Sequence, residues 1–308
     1  MATDLVRLRR SCLAAPGSSE KMMAKAATLA ADEVFLDLED GVAPLEKTDE
    51  TRKRVVSALR EHEWLAKTKV VRVNGVQTPW CLHDLLYIVP NAGSALDCVM
   101  IPKVESVAEI HFVDQLLTQL EREVDRARPL GLEVQIESPL GLVNIEAIAA
   151  ASPRLETLIF GPGDFAASAG MPQLTVGASD REYNGDEWHY VLWRILCAAR
   201  AFGLQAIDGP CAQIRDLDGF LLVARRARSL GYDGKWALHP DQIGLCNEVF
   251  SPSIEEYERA ARIIEAYREA TDDSRLGAVM FEGEMIDEAS RRMAAGVVDR
   301  GRAAGLGS

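Results

Sequence analysis

The stretch Glu133–Met171, EVQIESPLGLVNIEAIAAASPRLETLIFGPGDFAASAGM, decides how the rest of the chain is read. It reads as strand, helix, strand, with a carboxylate at the end of each strand. Glu137 closes the run Val134–Gln135–Ile136, and Asp164 follows Leu158–Ile159–Phe160 through the glycine turn Gly161–Pro162–Gly163. Two acids at neighbouring strand ends, with glycine removing bulk beside one of them, suit a hard cation facing a small oxygen-rich ligand. Buried or capping acids would leave the same trace. The stretch alone leaves both readings open.

The pattern repeats on either side. Arg10-Ser-Cys-Leu-Ala-Ala reads as a first strand stopped by Pro16–Gly17, with Ser18 placed to cap a helix running to about Ala31. Val34-Phe-Leu-Asp-Leu, Lys69-Val-Val-Arg-Val and Leu96-Asp-Cys-Val-Met-Ile follow as further strands, separated by helices over 46–62 and Trp80 to Val89. Ser106 and Glu109 form a capping box, and Val107, Ile110, Val113, Leu117, Leu120 and Val124 recur at helical spacing behind it. Beyond Met171 a loop over 175–186 precedes a helix marked by Trp188, Val191, Leu192, Ile195 and Phe202. Then come a strand at Gln205-Ala-Ile-Asp, a helix over 213–230 and a strand at Lys235-Trp-Ala-Leu-His.

Eight strand candidates alternating with helices predict a parallel sheet, and eight is the number that closes a (β/α)8 TIM barrel. An open doubly wound sheet is the competitor. Polar residues sit repeatedly just after the strands: Glu39 and Asp40, Arg72 and Asn74, Lys103, Glu137, Asp164, Asp208 and His239. A barrel gathers those loops on one face, whereas an open sheet spreads them along an edge. Convergence favours the barrel, occupying 1–250. Residues 251–308 form a C-terminal extension. There Ser253 and Glu256 make a second capping box opening a helix over 254–271, Asp272–Ser274 break it, and Phe281–Glu288 leads into a short amphipathic helix over 288–300. This is too much chain for a mere terminus. It reads as a lid or an oligomer contact.

The charge balance of −13 over 308 residues argues against nucleic-acid and anionic-membrane surfaces, while leaving anionic small molecules to a local cluster of cations. Cysteines 12, 81, 98, 197, 211 and 246 show no CxxC and no zinc spacing, so small buried thiols in a reducing cytoplasm are expected. The first residues lack the apolar core of a signal peptide, and no run approaches a membrane span.

Gly161-Pro-Gly-Asp-Phe-Ala matches GxGxxA after a strand, the trace of a dinucleotide fingerprint. Several strands precede it, Pro162 stiffens the turn, and Asp164 would repel a pyrophosphate. The nucleotide reading is set aside. Arg72 suits either a structural ion pair or a fork for a carboxylate or enolate oxygen. His239, followed by Pro240, reads as structural.

Motifs in family order over nearly the whole chain give it a specific likeness. These are Arg10-Ser-x-Leu-x-x-Pro-Gly-Ser-x-x-Lys, Leu36-Asp-Leu-Glu-Asp-Gly-Val, Val71-Arg-Val-Asn-Gly, Pro102-Lys-Val-Glu, Gln135-Ile-Glu-Ser-Pro-Leu-Gly, Phe160-Gly-Pro-Gly-Asp-Phe, Leu238-His-Pro-x-Gln and Met285-Ile-Asp. The chain resembles the citrate lyase β-subunit/malyl-CoA lyase family of CoA-ester lyases. The resemblance implies the barrel, a Mg2+ ion (Mn2+ as a substitute), and an acyl-CoA substrate cleaved to acyl-CoA and a 2-oxo acid. It also implies a homotrimer or hexamer. Carried over, Glu137 and Asp164 match the metal ligands, and Arg72 matches the enolate-stabilising arginine. Asp287 matches an acid/base carboxylate that the family delivers on the lid of a neighbouring subunit.

Ser18, Lys21 and Lys25 fall where the first loop approaches CoA. Gly163 and Pro240 are assigned to substrate contact, and Glu39 and Asp40 to support behind the ligands. Two departures stand out. Glu288 follows the lid aspartate where the family often has proline. Asp40 stands where related class II aldolases without CoA place histidine, which argues against an aldolase of that type. The substrate expected is malyl-, β-methylmalyl- or citramalyl-CoA. A malyl-CoA thioesterase, a citryl thioester lyase and a non-catalytic CoA-binding paralogue are the alternatives.

Overall fold

Eight parallel strands close into a barrel in chain order: β1 Ser11–Pro16, β2 Glu33–Asp37, β3 Thr68–Arg72, β4 Cys98–Ile101, β5 Gly131–Ile136, β6 Leu155–Phe160, β7 Gln205–Asp208 and β8 Gly234–Ala237, with β8 pairing back to β1. The computed structural model describes residues 7–172, 174–177, 185–272 and 276–307. The barrel belongs to a first unit ending at Asn247, and a second unit begins at Glu248. The open doubly wound sheet is excluded by closure.

The strands read as unbroken apolar runs because both faces are covered, and every residue of β2 and β5 is buried. Alternation sends Cys12, Phe35, Val70, Cys98, Met100, Ile159, Ile207 and Trp236 inward, where they fill the barrel. Phe35 and Trp236 meet at its centre with ring centroids 4.3 Å apart. Below them, at the N-terminal end, Arg9 is buried among acids. Its Nε donates to Glu33 Oε2 (2.7 Å) and Glu133 Oε1 (2.9 Å), Nη1 to Gln205 Oε1 (2.7 Å) and Nη2 to Glu156 Oε2 (2.6 Å).

The outer helices follow the expected periodicity. Val107–Glu123 buries Ile110, Val113, Leu117 and Leu120, and its capping box forms as read, the Ser106 N–H donating to Glu109 Oε2 at 2.8 Å. Several boundaries differ for local reasons. The first helix is Glu20–Ala27, capped by Ser19 in place of Ser18, because Ser19 Oγ is the oxygen that accepts the Met22 N–H. The helix expected from 213 begins at Leu217, where the Asp216 side chain accepts the Gly219 N–H. The single helix expected between β5 and β6 is two, Pro139–Val143 and Ile145–Ala149, joined at Asn144, whose side chain donates to the Glu105 carbonyl at 2.8 Å. The glycine turn after β6 is a helix start: Gly161 is the N-cap and Pro162 stands in the first turn of Pro162–Ser168, where a missing N–H costs nothing. Much of the loop over 175–186, and the helix breaker after Asp272, lie outside the described residues.

In the second unit, helices Ile254–Asp272 and Glu288–Ala303 pack around Ala260, Ala294 and Val298. A Cβ on Gly301 would sit 2.4 Å from the Tyr257 ring, so glycine sets how closely these helices approach. Between them stands a hairpin, β9 Ala278–Phe281 and β10 Glu284–Asp287. Its two-residue turn, Glu282–Gly283, has positive φ at both positions (48° and 85°), the geometry that matches strand twist. Sequence reading took this segment for a plain lead-in. Glutamate before glycine is a weaker hairpin signal than asparagine or aspartate. Among the described residues no helix is long and apolar enough to cross a membrane. All six cysteines are free, and only Cys197 is exposed.

Candidate active site

The C-terminal rim of the barrel gathers charge from five successive strands. β2 ends in Asp37 and leads to Glu39 and Asp40, and β3 ends in Arg72. Lys103 follows β4, Glu137 follows β5, and Asp164 rides the first turn of the helix after β6. Arg72 is almost wholly buried and held as a fork: Nε donates to Asp37 Oδ1 at 2.7 Å and Nη2 to Asp37 Oδ2 at 2.6 Å. Asp37 is itself braced by the N–H groups of Glu39 and Gly41, each at 2.8 Å. Beneath the guanidinium lie Trp236 and Phe35, with ring centroids 5.3 and 5.9 Å from its carbon.

From Arg72 a closed circuit of polar contacts runs round the rim. Nη1 reaches Glu39 Oε2 at 3.1 Å and Gln135 Oε1 at 3.5 Å. Gln135 Nε2 donates to Glu137 Oε1 (3.0 Å), the Lys103 N–H donates to Glu137 Oε2 (2.8 Å), and Lys103 Nζ returns to Glu39 Oε1 at 2.6 Å. The same ammonium meets Asp40 at 3.1 Å and Asp164 Oδ1 at 3.5 Å.

The electrostatics follow from this crowding. Burial is the largest influence on Glu137, and the charges of Asp164 and Glu39 add to it against Arg72, so its carboxyl is pushed up to about 8. Burial likewise raises Glu39 against the pull of Arg72. Burial works to raise Asp40 too, but the Lys103 ammonium outweighs it and the net shift is downward. Arg72 and Lys103 both lie above their ordinary values, since Asp37 and Glu39 more than offset the desolvation of each cation.

A divalent cation fits this donor set. Five carboxyl groups (Asp37, Glu39, Asp40, Glu137 and Asp164) face two cations (Arg72 and Lys103) on a rim that opens to solvent at Asp40 and Asp164. Among the described residues no group of three or more acid, histidine or cysteine side chains forms an all-protein cage. Two carboxylates with room for water and substrate are the arrangement magnesium prefers. Gly161 makes the space: a Cβ there would sit 2.2 Å from Glu137 Oε1.

Residues 10–240 match the HpcH/HpaI aldolase/citrate lyase family. The chain belongs to that family. It is 40% identical over 301 residues to the L-malyl-CoA/beta-methylmalyl-CoA lyase of Cereibacter sphaeroides, covering 95% of this chain and 94% of that one. It is 35% identical to the malyl-CoA/beta-methylmalyl-CoA/citramalyl-CoA lyase of Chloroflexus aurantiacus, over 93% of this chain and 86% of the other. Among solved structures, CitE from Mycobacterium tuberculosis in complex with magnesium, acetoacetate and coenzyme A superposes with a TM-score of 0.74 at 30% identity. That match covers 97% of this chain and 100% of the other.

Within this HpcH/HpaI member, the sequence-derived residues do not all fall together. Glu137, Asp164, Arg72, Glu39 and Asp40 share the rim. Lys21, Lys25 and Pro240 line a separate pocket of about 160 Å3 beside β1 and β8, together with Ala15, Met22 and Leu238. Ser18 lies in the turn after β1 and is not part of that lining. The space beside Gly163 is taken by Val176, 3.0 Å from where its Cβ would be, so the glycine that clears room for a carboxylate is Gly161. His239 Nδ1 accepts the Asp241 N–H at 3.3 Å at the start of helix Pro240–Val249.

Asp287 ends β10 and caps the next helix: its Oδ1 accepts the Ser290 N–H at 3.0 Å, and that bond above all holds its carboxyl below the usual range.

Sequence reading missed Asp37 and Gln135 and gave Lys103 no role. The family's Gln-x-Glu and Leu-Asp-Leu-Glu-Asp runs were the available signal, since alternate residues on a strand face the same side. Gly161→Ala is expected to force Glu137 aside and weaken Mg2+ binding by about 10–100-fold, the usual effect of disturbing a ligand's support. Titration calorimetry checks this, with far-UV circular dichroism reporting an intact barrel. Unchanged affinity would remove Glu137 from the metal site.

Proposed function

We propose that this protein is a magnesium-dependent CoA-ester lyase. It splits a β-hydroxyacyl-CoA such as (S)-malyl-, β-methylmalyl- or citramalyl-CoA into acetyl- or propionyl-CoA and glyoxylate or pyruvate. The observation that carries this reading is the rim itself: Glu137 and Asp164, both in contact with Lys103, share it with a buried arginine whose orientation Asp37 dictates. Lyases of this substrate class among the relatives, and a relative holding magnesium, acetoacetate and coenzyme A, support it.

Glu137 and Asp164 would hold the cation. Bound there, Mg2+ (or Mn2+ in its stead) would supply Lewis-acid polarisation of substrate oxygens and lower the pKa of the substrate's hydroxyl. The chain's own residues do the rest. Cleavage breaks the bond between the hydroxyl-bearing carbon and the carbon next to the thioester, and the electron pair moves onto the thioester oxygen. Arg72 presents an N–H not engaged by Asp37 to that developing charge, in a pocket where Phe35 and Trp236 exclude water from beneath it. In cleavage Asp287, kept as a carboxylate by its capping bonds, takes the hydroxyl proton and returns it to the enolate carbon; in condensation the same carboxylate removes that proton from the acyl-CoA carbon.

Lys21, Lys25 and Pro240 line a largely apolar pocket flanked by two ammonium groups, suited to the CoA moiety and its phosphates. The working protein is a homotrimer or hexamer in the cytoplasm, with Asp287 supplied by a neighbouring copy.

The test offers malyl-, β-methylmalyl- and citramalyl-CoA side by side with Mg2+, and measures both 2-oxo acid and free CoA. A 2-oxo acid released together with acyl-CoA, lost in EDTA and restored by Mg2+, is the expected result. Free CoA without oxo acid would identify a thioesterase, and no product from any ester would end the lyase reading.

A further inference from the structure

Among the described residues, Lys103 is the one that touches Glu39, Asp40, Glu137 and Asp164 together. Its N–H donates to Glu137 Oε2 at 2.8 Å, while its ammonium bonds Glu39 at 2.6 Å and Asp40 at 3.1 and 3.2 Å and reaches Asp164 at 3.5 Å. To do both it adopts φ 53°, the left-handed region that a side chain with a Cβ resists. Glycine would sit there without strain, so the lysine's presence is held by what its side chain does. What it does is place a single positive charge among acids otherwise short of cations. The grip is uneven: the contact to Asp164 is the longest of the set, and the side chain remains about a third exposed, at 38%.

We propose that Lys103 is a positioning residue that stands in for the divalent cation while the site is empty. On cation binding it yields Asp164 and keeps Glu39 and Asp40. This deepens the metal reading given above and rests on it. The ammonium and the cation draw on the same carboxylate, so Lys103 lowers the affinity for the free ion while holding Glu137 ready through its backbone. Tight binding then waits for the substrate's own oxygens.

The test is Mg2+ alone, titrated calorimetrically into the full-length protein at fixed neutral pH and low salt. Lys103→Met is expected to bind Mg2+ more tightly than the wild type, on the order of tenfold, because a competing charge a few ångströms away has gone. Its melting temperature without Mg2+ falls, since unshielded acids then repel, and the deficit closes when Mg2+ saturates the site. Lys103→Arg, which keeps the charge, stays near the wild type. Lys103→Gln repeats the measurement should the methionine variant misfold. Affinity that is unchanged or weaker in the neutral variants overturns the proposal, because a merely structural lysine cannot be removed with a gain in binding. Wild type and neutral variants that alike bind no Mg2+ overturn the metal reading itself, and the proposal with it.

Discussion

Arg72→Lys is expected to lower kcat by about a hundred- to a thousandfold, which is about 3–4 kcal/mol of transition-state stabilisation. The guanidinium makes parallel bonds to both oxygens of Asp37 and still reaches Glu39 with its other terminal nitrogen. A lysine ammonium at the same position is a single point with three rotatable donors. It can meet Asp37 or Glu39, but it cannot hold the fork and present a donor to an enolate oxygen together. The loss belongs in kcat with little change in KM, because the charge Arg72 answers develops only during bond cleavage. Steady-state release of 2-oxo acid, with saturating Mg2+, reads it directly. A kcat within a few fold of the wild type would take Arg72 out of the transition state and leave it an ion pair of the barrel wall.

At the opposite end of the barrel, Arg9→Met is expected to cost about 3–5 kcal/mol of folding stability, the usual consequence of removing one partner from a buried charge network. Arg9 is 1% exposed, and Glu33 and Glu133, which share its Nε, are both wholly buried. Each acid keeps one oxygen without a partner, Glu33 Oε1 and Glu133 Oε2. Burial first, and Glu33 second, already push the Glu133 carboxyl well above its ordinary value. Without Arg9 both acids stay buried and lose the cation that pairs with them.

The sign of the pH dependence follows. A carboxyl raised in the folded state binds its proton more tightly there than in the unfolded chain. Its favourable contribution is whole below the unfolded value and disappears as pH climbs through the folded one. The deficit of Arg9→Met should therefore shrink as pH falls from mildly alkaline toward the ordinary glutamate range. Urea unfolding at a series of pH values checks both size and slope. A flat deficit would mean that lost packing, and not stranded charge, accounts for the effect.

These two arginines also show which residues the sequence alone brings to notice. Arg72 was legible because it closes an apolar run, and a polar residue at the end of a buried strand points to the barrel's C-terminal rim. Glu137 and Asp164 stood out for the same reason. Arg9 was not legible. It precedes the first strand in a run of three basic residues (Arg7, Arg9, Arg10), and its partner Glu133 lies 124 residues away.

The amino-acid sequence by itself determined the eight strands and their alternation with helices, since strands covered on both faces must be apolar throughout. From that came the barrel and the sharing of one rim by the strand-end acids. Tertiary structure alone decided how those side chains spend their hydrogen bonds. The left-handed turn at Lys103, the fork between Asp37 and Arg72, and the reach of Arg72 to Gln135 join segments 34–64 residues apart, or depend on one dihedral angle. The hairpin before Asp287 and the capping of that carboxylate by Ser290 belong with them. Periodicity records which face a residue occupies; the direction of a donor is set by φ, by rotamer and by the neighbour that closure brings within 3 Å.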